Sequence, residues 1–202
     1  MNKGLIENYL NELFENPKCE LNYSKDYELV LSVMLSAQTT DKSVNIATKD
    51  LYGKYDSLEK LNSLSIEEIS SYIKRIGLYK TKSSNFKKIV SELVKIGYVP
   101  QDRKYLENLP GVGRKTASVV LAQLFDEPSF AVDTHVFRVS KRLRITTLKD
   151  DVLKTEKKLK KYFNKEDWNR INSQFVLFGR YYCTSKNPKC DNCKLKDICK
   201  KI

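Results

Sequence analysis

The stretch LPGVGRKTASVVLAQLFDEPSFAVDTHVFR, residues 109–138, decides the fold. It opens on a turn, Pro110-Gly111-Val112-Gly113, whose two glycines let the backbone bend tightly and approach a ligand with no Cβ in the way. A helix pattern follows at once, with Ala117, Val120, Leu121 and Leu124 on one apolar stripe. The start of that helix presents unpaired N–H groups and the positive end of the helix dipole to the turn, which makes a place for a phosphate. Lys115 falls in the first helical turn. Asp133 follows a second break, Asp126-Glu127-Pro128-Ser129, and directly precedes another helix pattern.

Outward from this stretch the same period recurs. On the N-terminal side, Asp102 to Leu109 is a short segment, so the region reads helix, tight turn, helix. Phe86, Ile89, Val90, Leu93 and Val94 mark a further helix closed by Gly97, and Ser65 to Glu68 is a capping-box pattern whose helix is expected to end at Gly77. Residues 2–16 read as a short amphipathic helix. A buried one begins near Ser24 and runs to Ala37, and Thr40 or Asp41 is placed to cap its successor. On the C-terminal side, Thr134 to Leu143 reads as a basic helix with Arg138, Lys141 and Arg142 towards its polar side. Asp150 to Phe163 is amphipathic and Lys-rich, and Asn169 to Tyr182 is apolar enough to be central. No run alternates as a strand does, so the chain is all-α.

The totals narrow the function. The 202 residues are 41% hydrophobic, enough for one globular unit or two small lobes. A net charge of +12 favours a polyanionic partner. Nothing approaches the roughly 18 consecutive apolar residues of a membrane span, and the N-terminus carries acids early without an apolar signal core. A cytoplasmic protein is expected, with no membrane partner, in a compartment where disulfides are rare.

That compartment gives the cysteines meaning. Cys183, Cys190, Cys193 and Cys199 are separated by six, two and five residues, whereas Cys19 stands alone. Four thiolates so close in sequence suit one tetrahedral zinc or one four-iron cluster, and ligand type alone leaves the two equal. Either would hold a polar loop that has too little apolar surface to fold by itself. Lys186 and Lys189 would then be held outward, as solvated side chains or as phosphate contacts.

Taken together, LPGVGRKTA, VDTHVFRV and the six-two-five cysteine spacing resemble the endonuclease III family of DNA glycosylases, within the helix-hairpin-helix, Gly-Pro-Asp superfamily. The resemblance runs from SAQTTD, residues 36–41, through Cys199. It implies an all-α, two-lobed fold: residues 22–129 as a helical barrel with the hairpin at about 104–125, and residues 1–21 plus 130–202 as a second lobe carrying a cluster loop at 183–199. By motif, Lys115 matches the catalytic lysine and Asp133 the catalytic aspartate. Gly111 and Gly113 belong to the DNA-contacting turn, while Gln38, Leu78 and His135 match positions that fill or probe the space left by a flipped base. The four tail cysteines match the ligands of a [4Fe–4S] cluster. The partner implied is double-stranded DNA with damaged pyrimidines or abasic sites, bound by a monomer associated with the nucleoid. Phe178 departs from relatives that carry histidine there.

The chemistry is coherent with this resemblance. A glycosylase that also cuts the strand needs an amine nucleophile, and a free lysine, with a pKa of about 10.4, is mostly protonated at neutral pH. A helix start and excluded water disfavour the ammonium, whereas a neighbouring carboxylate favours it. Asp133 is therefore expected to stabilise positive charge developing on the sugar, not to activate Lys115. Lys115 also favours a bifunctional enzyme for oxidised pyrimidines over an adenine-specific, monofunctional relative. The rival from another class is a non-catalytic, zinc-stabilised DNA-binding module.

Overall fold

In the computed structural model, residues 2–200 are described, and among them there is no strand. The helices are α1 (Lys3–Leu13), α2 (Asp26–Leu35), α3 (Asp41–Lys54), α4 (Leu58–Ser63), α5 (Ile66–Ile73), α6 (Tyr79–Ile96), α7 (Arg103–Asn108), α8 (Arg114–Phe125), α9 (Thr134–Arg142), α10 (Val152–Tyr162) and α11 (Trp168–Tyr181), with a 3-10 turn at Lys165–Asp167. None is long and apolar enough to cross a membrane. The chain packs as two compact units. One is Cys19–Phe125; the other joins the residues up to Lys18 with those from Asp126 onward.

The first unit is built round α2. Leu29, Val30, Leu31, Val33, Met34 and Leu35 are all buried, so this helix is apolar on every side and sits in the middle. It packs against α3, α6 and α8, while α5 and α4 cover α6. Caps set the local boundaries. Thr40 accepts from Ser43 N–H to start α3, Ser65 and Glu68 form the reciprocal capping box of α5, and Asp102 accepts from the N–H groups of Lys104 and Tyr105 to start α7. Gly97 ends α6 at φ 77°, a left-handed position that suits glycine.

The second unit packs α11 against α9 and α1, with α10 on α9. Its core holds Phe130, Phe163 and Phe175 in mutual ring contact. Buried Gln174 donates to Asn11 Oδ1 and the Phe14 carbonyl, both at 2.8 Å, which ties α11 to the start of the chain. The irregular tail after α11 is anchored in its middle and near its end. Tyr9 donates to the Asn192 carbonyl at 3.2 Å, and the Lys200 N–H donates to the Arg142 carbonyl at 2.8 Å.

Three expectations need correction. Gly77 does not close α5, which ends at Ile73 with Lys74 as its C-cap; the left-handed residue in that turn is Leu78, at φ 60°. The buried helix stops at Leu35, because residues 36–40 turn back towards α3. Arg142 does not lie on a polar face: it is 7% exposed and faces the tail. Helix α4 was not expected, since its six residues are too few for a period to register.

Candidate functional site

The hairpin follows from its sequence residue by residue. Pro110 supplies the fixed φ of the second turn position, and Gly111, at φ 79°, supplies the left-handed third. The Val112 N–H closes this type II turn on the Leu109 carbonyl at 3.0 Å, and the buried side chains of Leu109 and Val112 root it in the core. A Cβ on Gly111 would stand 2.6 Å from Asn85 Nδ2 and 3.3 Å from Met34 Cγ, so the turn lies directly on α6 and α2. Gly113 differs. It does not have a positive φ, and a Cβ there would meet nothing within 4 Å. Its value is the open space above it, and its carbonyl accepts from the Ala117 N–H at 3.0 Å to begin α8.

Lys115 is the second residue of α8 and is exposed, while Ala117, Ser118, Val120 and Leu121 turn inward on the buried face. The helix behind it is held by Arg103, whose Nη1 donates to Ser118 Oγ at 3.0 Å. An exposed amine here sits at the N-terminal end of a helix, where unpaired backbone N–H groups favour an anion.

Asp133 caps α9, its Oδ1 accepting from the Val136 N–H at 2.7 Å. Upstream, Asn169 fixes the approach of the chain: its Oδ1 accepts from the Ser129 N–H at 2.9 Å and its Nδ2 donates to Asp126 at 3.0 Å. His135 is the second residue of α9. Its Nδ1 is 3.3 Å from Arg138 Nη2, and α11 presses against it at Gly179.

Gln38 and Leu78 share an unusual state. Both are exposed, Leu78 at 64%, and both have left-handed backbones, at φ 56° and 60°. Leu78 is therefore not a core leucine. A non-glycine residue held there costs about 1–3 kcal/mol, and such strain concentrates at ligand clamps.

The four tail cysteines line one cavity of about 30 Å³ together with Leu143, Phe178, Tyr182 and Leu195. None of the five cysteines in the chain forms a disulfide, and Cys19 belongs to the other unit. Burial pushes the Cys183 and Cys193 thiols up, and Arg142 draws Cys183 partly back. Arg142 donates to Cys183 Sγ at 3.2 Å and to the Cys183 and Thr184 carbonyls at 3.2 and 2.7 Å. Arg138 adds bonds to the Cys183 and Gly179 carbonyls at 3.1 and 2.7 Å. Phe178 stacks on Tyr182 beside this cavity, with rings 6.0 Å apart. Lys186 and Lys189 are exposed, and Lys189 Nζ lies 4.8 Å from the Tyr182 ring centroid.

Of three cations drawn in from solvent, Lys82 escaped the sequence reading and Arg138 and Arg142 were expected on a polar face, although the spacing of all three marks them. Arg138 and Arg142 stand four residues apart and so reach one place. Lys82 lies at the helical spacing of Phe86, Ile89 and Leu93, whose face is buried.

Comparison with known proteins places this fold of helices, with its Pro-Gly hairpin turn, in a class of DNA repair protein. Residues 31–165 match the model of the HhH-GPD superfamily base excision DNA repair protein. Endonuclease III of Bacillus subtilis (strain 168) is 45% identical over 193 residues, covering 95% of this chain and 88% of its own. Endonuclease III of Escherichia coli (strain K12) is 43% identical over 204 residues, covering 98% and 96%. Among solved structures, a trapped endonuclease III–DNA covalent intermediate superposes with a TM-score of 0.92 at 41% identity, covering 100% of this chain and 97% of that one. A non-covalent endonuclease III–DNA complex gives 0.93 at the same identity, covering 100% and 96%. The chain belongs to the HhH-GPD superfamily and, within it, to the endonuclease III family of base excision repair DNA glycosylase/AP lyases.

Proposed function

We propose that this protein removes oxidised pyrimidines from double-stranded DNA through a Schiff base on Lys115 and then cuts the strand 3′ to the abasic site. The observation that carries the reading is Lys115 itself, exposed at the second position of α8 immediately after the phosphate-binding turn. A relative 41% identical, captured covalently on DNA, supports an enzyme-linked intermediate.

The free amine of Lys115 attacks C1′; the N–C1′ bond forms as the glycosidic bond breaks, and the base leaves with a proton. Ring opening gives an imine, which acidifies C2′–H. Loss of that proton expels the 3′ phosphate by β-elimination, and water then hydrolyses the imine and returns the lysine. Asp133 stabilises the cationic sugar on the way. Its cap bond engages Oδ1, which orients the carboxylate while the negative charge remains. Gly111 and Gly113 bring the backbone to the phosphates. Gln38, Leu78 and His135 contact the distorted duplex, and Lys186 and Lys189 reach flanking phosphates.

The donor set of Cys183, Cys190, Cys193 and Cys199 fits a [4Fe–4S] cluster. The four thiols border one cavity, as the ligands of a cluster or of a single ion would, and membership of the endonuclease III family favours the cluster. The cluster, when bound, cross-links the tail, and Arg142 and Arg138 orient its first ligand. The protein acts as a monomer in the cytoplasm, on nucleoid DNA.

Borohydride reduction during turnover tests the mechanism. Wild type is expected to yield a protein–DNA adduct that Lys115→Gln does not, and absence of the wild-type adduct rules out the amine pathway. An adenine-specific enzyme would instead release base without cutting the strand. Four irons per chain, with broad visible absorbance, are expected; a colourless protein with one zinc would exclude the cluster.

A further inference from the structure

Lys82 is a buried cation with no carboxylate partner in its bonds. It is 5% exposed, and its Nζ donates to the Leu35 carbonyl at 2.8 Å, the Ala37 carbonyl at 2.8 Å and Thr39 Oγ1 at 2.9 Å. Burial lowers its pKa, a cost that such a site must offset. The offset is geometric. An ammonium alone among side chains offers three donors from one atom, and all three are used. Leu35 is the last residue of α2, where orphan carbonyls and the negative end of the helix dipole face outward.

The three acceptors belong to residues 35, 37 and 39, so they flank Gln38 on both sides. The backbone of the same lysine is engaged at the other feature of this surface: the Lys82 N–H donates to the Leu78 carbonyl at 3.0 Å. One residue thus bonds to the supports of Gln38 and Leu78, the two exposed non-glycine residues with left-handed backbones in the Cys19–Phe125 unit. The hairpin turn rests on the same two helices, through Met34 next to Leu35 and Asn85 one turn after Lys82.

We propose that Lys82 is a positioning residue that holds Gln38 and Leu78 at a fixed separation, so that the two side chains enter the duplex together at the damaged site. This rests on the reading of Gln38 and Leu78 as DNA-probing residues. Lys82 itself is too buried to touch DNA and acts through the loop it clamps. An apolar side chain of similar length would leave two carbonyls and a hydroxyl without their donor and free the 36–40 segment to relax from its left-handed turn.

The test is binding of the purified, metal-loaded protein to a duplex with a tetrahydrofuran abasic analogue and to the same duplex undamaged. Lys82→Met is expected to weaken binding to the abasic duplex about tenfold, since small misplacements of positioned groups are costly, and to leave undamaged duplex within about twofold. In a Gln38→Ala/Leu78→Ala background the same change is expected to alter abasic-duplex affinity by less than about twofold. A general structural role predicts the full loss in both backgrounds, or equal loss on undamaged DNA, and either result overturns the proposal. So does wild-type affinity in Lys82→Met. If Gln38→Ala/Leu78→Ala itself binds the abasic duplex like wild type, the underlying reading fails and takes the proposal with it, an outcome recognisable without any Lys82 variant. Should Lys82→Met not fold, Thr39→Val removes one acceptor. Its expected loss of about two- to threefold must likewise vanish in the double-alanine background.

Discussion

A Cβ on Gly179 would stand 2.8 Å from the Cβ of His135 and 3.2 Å from its Cα. Helix α11 can lie this close to α9 only because residue 179 has no side chain. The approach also brings the Gly179 carbonyl to Arg138, 2.7 Å from Nη2, and Arg138 bonds in turn to the Cys183 carbonyl, where the cysteine tail begins, at 3.1 Å. Gly179→Ala is expected to lower stability by about 1–3 kcal/mol through overpacking against backbone, read as a lower melting temperature. Because the clash falls on His135, affinity for abasic duplex should fall as well.

Asp133 has two separable duties, a cap and a charge. Asn caps as well as Asp, whereas Ala does not. Asp133→Asn should therefore melt close to wild type yet lose most base release and strand cleavage. Asp133→Ala should lose the same activity and also about 1 kcal/mol of stability. Equal activity in Asp133→Asn and wild type would show that the cap, not the charge, is what matters.

Leu78 carries left-handed strain on an exposed apolar side chain. Glycine meets no steric penalty there, so Leu78→Gly should keep or raise thermal stability, by up to about 1 kcal/mol. Binding to the abasic analogue should weaken. Loss of stability instead would mean that the leucine supports the fold.

Asp150 is nearly buried. Its bond from Lys158 Nζ, at 2.7 Å, and then its bond from the Thr147 N–H, at 2.6 Å, hold its carboxyl down to about 2. A carboxyl lowered in the folded state contributes stability that is fully present above the ordinary value, near 3.9, and is lost as pH falls through the folded value. The melting-temperature difference between wild type and Asp150→Asn should be constant from pH 7 to about 5. It should shrink as pH falls from about 4 towards 2. A difference that persists unchanged through that window would contradict the assignment.

Arg142 reaches Cys183 Sγ and the Cys183 and Thr184 carbonyls from inside the fold. Arg142→Met leaves these acceptors without their shared donor, at a cost of about 1–3 kcal/mol for each buried group. Proteolysis should then cut within the 184–189 loop before the rest of the chain. Iron retained per chain should fall in parallel.

Much of this molecule can be read from the chain because its signals are local. The Pro110-Gly111 turn, the caps at Thr40, Ser65, Asp102 and Asp133, and the apolar stripe of α8 each depend on residues within one helical turn of one another. Such features survive into the structure unchanged. The failures are equally physical. Gly77 stands where a helix stop is expected, but the chain turns left-handed one residue later, at Leu78, whose carbonyl then accepts from the Lys82 N–H to start α6. Gly111 and Gly113 look alike in sequence, and only the neighbours Asn85 and Met34 set the first apart.

The sequence by itself determined the all-helical class, the hairpin and the placing of Lys115 and Asp133 at helix starts. Periodicity, turn chemistry and capping are short-range properties of a chain. Tertiary structure alone decided which charged residues are drawn inward and what they hold. Lys82, Arg138 and Arg142 read as solvated cations until the carbonyls of residues 35, 37, 179, 183 and 184 come round to meet them. A buried charge is tolerable only where distant backbone supplies its partners. Helical spacing can mark such a cation, but no local pattern records which carbonyls meet it, and for this reason what Lys82, Arg138 and Arg142 hold emerged only from the fold.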